Sequence, residues 1–79
     1  MDAETVGGRL EATRRRRVLT QNELAQSAGV ALITVTRLEN NAGSGSPRPE
    51  TVRRLARALD VDPAWLLFGD EVSEGKVAA

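Results

Sequence analysis

The stretch Thr20 to Glu39, TQNELAQSAGVALITVTRLE, limits the possible folds of this chain more than any other segment. Thr20 followed by Glu23 is a capping box. The hydroxyl accepts from the amide three residues on, and the carboxylate reaches back to the cap's own amide. A helix is therefore predicted from Gln21 to Ser27, with Leu24, Ala25 and Ala28 turned inward. Gly29 suits a left-handed cap at its end. A second short helix follows from Leu32 to Asn40. Val35 and Leu38 line its inner face, Val30 packs just before it, and its other face is left free.

The rest of the chain supplies what those two helices pack against. Period-3.6 patterns recur and no strand pattern is present. A helix from Glu4 to Arg17 carries a thin apolar stripe of Val6, Leu10 and Thr13, and Leu19 falls in the turn after it. Residues 40–47, Asn-Asn-Ala-Gly-Ser-Gly-Ser-Pro, form a loop too short to link domains. A fourth helix starts near Pro49 and reaches Leu59 or Asp60. Val52, Leu55, Ala56 and Leu59 stand at i, i+3, i+4 and i+7, a buried stripe. Asp62 and Pro63 are the cap and first residue of a fifth helix ending at Phe68, and Gly69 stops it. The expected architecture is an all-α bundle of five helices over residues 1–69, with residues 70–79 a frayed acidic tail.

Composition removes several chemistries. The 79 residues include no Cys and no His, so neither a disulfide nor a Cys/His zinc site can be built. A chain this short must draw its core from helix packing, with a dimer interface as the available supplement. Catalysis lacks its usual groups. There is no Tyr and one Lys, and the Ser and Thr hydroxyls have no evident partner base. Gly43-Ser44-Gly45 lacks the Lys and the strand–helix setting of a phosphate loop. Asp60 and Asp62 are close together, but Asp62 is better read as a helix cap. The reading is a non-enzyme with no cofactor and no metal. With no apolar run of membrane-spanning length and no signal-peptide pattern, the expected location is the cytoplasm, away from membranes.

Net charge is zero, but its distribution is uneven. Residues 1–69 hold ten Arg against eight acids, net +2; residues 70–79 hold one Lys against three acids, net −2. Placement of individual Arg residues, not the total, decides any phosphate binding.

The capped pair of helices is the helix-turn-helix plan, in which the second helix enters the DNA major groove. TQNELAQSAGV, then TVTRLE, then PRPETVRRLARALDVDPAWLL resemble the Cro/phage-repressor-type helix-turn-helix family over about residues 4–69. The resemblance implies the lambda-repressor-like bundle and sequence-specific binding of double-stranded DNA, commonly as a homodimer in transcriptional control. It implies that Gln21 meets a phosphate at the start of the second helix, where free N–H groups favour an anion. It implies an Arg14–Glu39 ion pair between the first and third helices. Ala31, Leu32, Ile33, Thr36 and Arg37 fall at the DNA-facing positions of the third helix, and Asn40 and Arg48 at the loop that grips the backbone. Leu67 and Phe68 match the end of the domain that forms dimers.

Four positions depart from the family pattern. Ala31 replaces a capping Ser, a loss of about 0.5–2 kcal/mol. Val18 stands where Gly is usual, and Thr13 where a core Leu is usual. The loop after Asn40 is about two residues longer than is common. Leu32 and Ile33 are apolar where base-reading polar groups are frequent, and they have no donor or acceptor.

Each candidate also has a plainer reading. Arg37 is either a base or phosphate reader or a solvated Arg paired with an acid. Arg14 and Glu39 form an internal pair, with a phosphate contact from Arg14 as the addition. The run Arg14 to Arg17 winds around its helix, so only part of it can face one surface. Arg53, Arg54 and Arg57 lie off the buried stripe and read as surface residues. Trp65 and Leu66 are expected in the core, leaving Leu67 and Phe68 for a dimer contact. Leu32 and Ile33 would touch thymine methyl groups or pack on protein. The leading function is a DNA-binding transcriptional regulator, a repressor, acting as a homodimer on a near-palindromic operator. The alternative is a protein-interaction or antitoxin-like module that uses the apolar surface of the third helix to bind a protein partner.

Overall fold

The computed structural model describes residues 5–41 and 47–69. The tail expected at 70–79 and most of the loop expected at 40–47 lie outside the described residues. Five helices are present: α1 (Val6–Arg16), α2 (Gln21–Ala28), α3 (Leu32–Glu39), α4 (Pro49–Leu59) and α5 (Pro63–Phe68). No strand occurs among the described residues. The bounds differ from the sequence expectations at the ends. α1 begins at Val6, later than Glu4, because Thr5 caps it by accepting from the Gly8 amide at 2.9 Å. It stops at Arg16, and Arg17 is its C-cap. α2 runs one residue further, to Ala28, and Asn40 caps α3 from outside.

The core is made by Leu10, Leu24, Ala25, Val35, Val52, Leu55, Ala56, Leu59 and Leu66, all buried. α2 packs on α3 and α4, α1 on α3 and α5, and α4 on α5. Trp65 and Leu67 are half-buried against this core, and Phe68 is 60% exposed. The core expected of Trp65 and Leu66 is therefore centred on Leu66 alone. Thr13 is buried despite its hydroxyl, which donates to the Arg9 carbonyl at 2.8 Å and so carries no unmet polar group inside.

Helix C-termini leave carbonyls without partners, and three of these ends are closed by arginines remote in sequence. Arg9, itself buried, donates from Nε to the Leu66 carbonyl and from Nη2 to the Leu67 carbonyl, at 2.9 and 2.8 Å. Arg17 donates from Nε and Nη2 to the Leu59 carbonyl, at 3.0 and 2.8 Å. Arg54 donates to the Gly29 carbonyl at 3.1 Å and pairs with Glu50 on its own helix. The cationic guanidinium also suits the negative end of the helix dipole. Arg17 and Arg54 are thus tied to the fold, which corrects their reading as freely solvated surface charges.

Two backbone positions are tightly determined. A Cβ built on Gly7 would sit 2.0 Å from the Leu38 carbonyl oxygen, so α1 and α3 approach at a point where only hydrogen fits. Val18 has φ 58° and is 86% exposed, a left-handed conformation that a β-branched side chain disfavours. Gly7→Ala is expected to destabilise by about 3 kcal/mol, since neither backbone can yield. Val18→Gly is expected to stabilise by about 1 kcal/mol through release of the left-handed penalty. Thermal or urea unfolding of the two variants checks both signs.

Candidate nucleic-acid interface

The α2–α3 pair is built by its caps. The Thr20 hydroxyl accepts from the Glu23 amide at 3.0 Å, and the Glu23 carboxylate accepts from the Thr20 amide at 2.8 Å. Gly29 takes φ 74° and ends α2, and the Val30 amide donates back to the Ala25 carbonyl at 3.0 Å. This returns the chain sharply into α3. Ala31 begins α3 with no side-chain cap.

A polar network locks the far end of α3 to α1 and α2. Arg14 Nε donates to Glu39 Oε2 at 2.6 Å and Nη2 to Oε1 at 2.9 Å, a two-pronged charge-assisted contact. Arg14 Nη1 donates to the Leu19 carbonyl at 2.8 Å. Gln21 Nε2 donates to Glu39 Oε1 at 3.0 Å. The Glu39 side chain is only 2% exposed. The hydrogen bond to Glu39 raises the Arg14 pKa above its ordinary value, with Coulomb attraction to Glu39 and Glu11 adding to it and burial opposing it. A raised guanidinium pKa contributes stability that is fully present below the unfolded value and is lost only as pH rises through the folded one. The Arg14 charge is therefore constant across neutral pH.

The network decides which sequence-predicted residues meet. Gln21 is half-buried at the start of α2; one amide N–H is taken by Glu39, leaving its second N–H and its carbonyl oxygen outside that bond. Leu32 is 44% and Ile33 60% exposed on the outer side of α3, and Ala31 and Arg37 are exposed with them. The Thr36 hydroxyl turns inward along the helix, at 3.1 Å from the carbonyls of both Leu32 and Ile33. Arg37 and Arg48 line one open depression of about 410 Å³, together with Thr34, Leu38, Pro47 and Thr51. Asn40 is exposed at the end of α3. Leu67 and Phe68 are set apart from this pair, on α5, which packs on α1 and α4. Neither Arg37 nor Arg48 has a hydrogen bond or ion pair among the described residues, whereas Arg15 pairs with Glu11 at 2.7 Å. No group of acidic side chains among the described residues could hold a metal ion, and no helix is long and apolar enough to cross a membrane.

A family model described as helix-turn-helix matches residues 10–66. The chain belongs to the helix-turn-helix family of Cro/phage-repressor type. The transcriptional repressor RghR of Bacillus subtilis is 38% identical over 65 residues, covering 82% of this chain and 47% of RghR. The transcriptional regulator DicA of Escherichia coli is 31% identical over 67 residues, covering 85% of this chain and 48% of DicA. The helix-turn-helix chain thus spans about half the length of the curated relatives it matches. Among solved structures, the P22 c2 repressor in complex with a synthetic operator superposes with a TM-score of 0.75 at 29% identity, covering 84% of this chain and 97% of that one. The SinR protein, in its complex with the SinI protein, gives a TM-score of 0.76 at 30% identity, covering 90% of this chain and 66% of that one.

Arg9 was missed from sequence because a lone Arg at the edge of an apolar stripe reads as surface. Its spacing of four residues from Thr13 was the available signal, since it places both on one side of α1. Glu39→Ala leaves Arg14 buried without its counter-charge and is expected to cost about 3–5 kcal/mol. Chemical denaturation of the variant measures it. A loss of only a few tenths of a kcal/mol would show that the pair contributes nothing to holding α3.

Proposed function

We propose that this chain is a sequence-specific DNA-binding transcriptional regulator, a repressor, with α3 in the major groove. Support comes first from the placement of Arg37 and Arg48. The two exposed cations flank the outer face of α3, and the carboxylate nearest in sequence, Glu39, is already engaged by Arg14 and Gln21. That leaves a face without a free acid, suited to a phosphate-lined groove. In this reading Gln21, Asn40 and Arg48 hold the DNA backbone, while Ala31, Leu32, Ile33, Thr36 and Arg37 face the bases. The relation to RghR and to the operator-bound P22 c2 repressor is in keeping with it. The chain acts in the cytoplasm, carries no enzymatic step and uses no cofactor. Leu67 and the exposed Phe68 form the contact between two copies, and the two-fold dimer reads a near-palindromic operator with half-site centres about one helical turn apart.

The second reading, a protein-interaction module, is favoured by the exposed Leu32 and Ile33 and by the SinR structure, which is a complex with another protein. Binding to duplexes selected from random DNA separates the two. The expected affinity falls with salt by about 0.9 log units per log unit for each phosphate neutralised. Arg37→Ala is expected to weaken binding to the selected site by roughly 5- to 150-fold, the equivalent of about 1–3 kcal/mol for a lost guanine contact. An Arg37→Ala variant as tight and as selective as the parent, or no preferred site at any salt, would contradict the DNA reading.

A further inference from the structure

We propose that Leu32 and Ile33 select 5-methylpyrimidines, so that this chain reads methyl groups in the major groove where other readers use hydrogen bonds. The inference rests on the DNA-binding reading above and specifies its substrate. Three observations carry it. The first two residues of α3 are large, apolar and exposed, at 44% and 60%, and Ala31 extends the same surface. The Thr36 hydroxyl, one turn on, is engaged with the carbonyls of Leu32 and Ile33 and does not offer its donor outward. The polar groups near this surface are Arg37 and Arg48, both cationic and both without a partner acid among the described residues.

An apolar patch bordered by cations and free of carboxylates matches one feature of duplex DNA. The C5-methyl group of thymine is the apolar element of the major-groove edge, and it lies between two phosphate backbones. A protein partner would have to bring acids to Arg37 and Arg48 and an apolar knob to Leu32 and Ile33. A thymine step in a duplex presents both chemistries at once. The aliphatic side chains have no donor or acceptor with which to compare O4 of thymine with N4 of cytosine. They report only whether the methyl is there. A cytosine methylated at C5 carries that methyl at the same groove position, so the surface accepts thymine and 5-methylcytosine and rejects uracil and plain cytosine. Arg37, further along α3, supplies the polar half of the recognition, for which the N7 and O6 acceptors of guanine are the matching edge.

The test starts from the duplex selected by the 79-residue chain out of random DNA. Each thymine is replaced in turn by uracil, and separately each thymine–adenine pair by a pair of guanine with cytosine or with 5-methylcytosine. Binding is followed by fluorescence anisotropy at fixed salt. At one or two positions per half-site, uracil is expected to weaken binding about fourfold for each methyl lost, from about 0.8 kcal/mol per buried carbon group. At those positions 5-methylcytosine binds more tightly than cytosine by a similar factor. In Leu32→Ala with Ile33→Ala, both preferences vanish while the Arg37-dependent preference remains. These side chains are exposed, and an unchanged melting temperature verifies the fold of the variant. If the selected duplex binds specifically but uracil and thymine versions bind alike, the methyl proposal is overturned and DNA binding stands; the patch is then free for a protein. If no duplex is selected, the DNA reading fails and the methyl proposal fails with it.

Discussion

The Glu39 carboxylate is the point at which three helices meet. Its two oxygens accept from Arg14 on α1 and from Gln21 on α2, while it is itself the last residue of α3. Arg14 spends its remaining reach on the Leu19 carbonyl, in the turn that leads into α2. The angle and depth of α3 therefore follow from one buried carboxylate with every strong partner in place. A buried ion pair can contribute little net stability against an apolar alternative, yet breaking it leaves an uncompensated charge inside. The pair is then better understood as fixing an orientation. The hydrogen-only gap at Gly7 against the Leu38 carbonyl sets the spacing between α1 and α3 a short distance away.

Arginine does two different jobs in this chain, and separating them exposes the interface. Arg9, Arg17 and Arg54 close the carbonyl ends of α5, α4 and α2, and Arg14 holds Glu39. The guanidinium fork suits this use, because several fixed donors can reach carbonyls that no backbone amide reaches. Once these are assigned, Arg37 and Arg48 stand out as cations with no structural task, on the side where α3 shows its outer face. A count of positive charges finds no net excess in this protein. The distribution of their partners is more informative.

Much of the fold was legible because its determinants are local. Thr20 with Glu23, Gly29, and the stripe of Val52, Leu55, Ala56 and Leu59 each act within a turn or two of helix, and each appears in the structure. The features that were not legible are those decided by partners far away in sequence. Arg9 meets carbonyls 57 and 58 residues on, and Arg17 meets one 42 residues on, with no periodicity to announce either. Gly7 reads as an ordinary helical residue until α3 is placed against it. The left-handed Asp60 cap, with φ 60°, was likewise hidden, because a non-glycine residue there gives no compositional sign. At the candidate site, the exposure of Leu32 and Ile33 follows from the inward stripe of Val35 and Leu38. What these residues touch depends on a partner outside the chain.

The central claim is that the outer face of α3, held by Glu39, is the DNA-contacting surface. Amide chemical-shift mapping on titration of the isotopically labelled chain with its selected duplex tests it most directly. The account predicts that the largest shifts fall at Gln21, at Ala31 to Arg37, at Asn40 and at Arg48. The middle of α4 would change little. Shifts concentrated on α1 or α4, with the Leu32 to Arg37 amides unmoved, would contradict it.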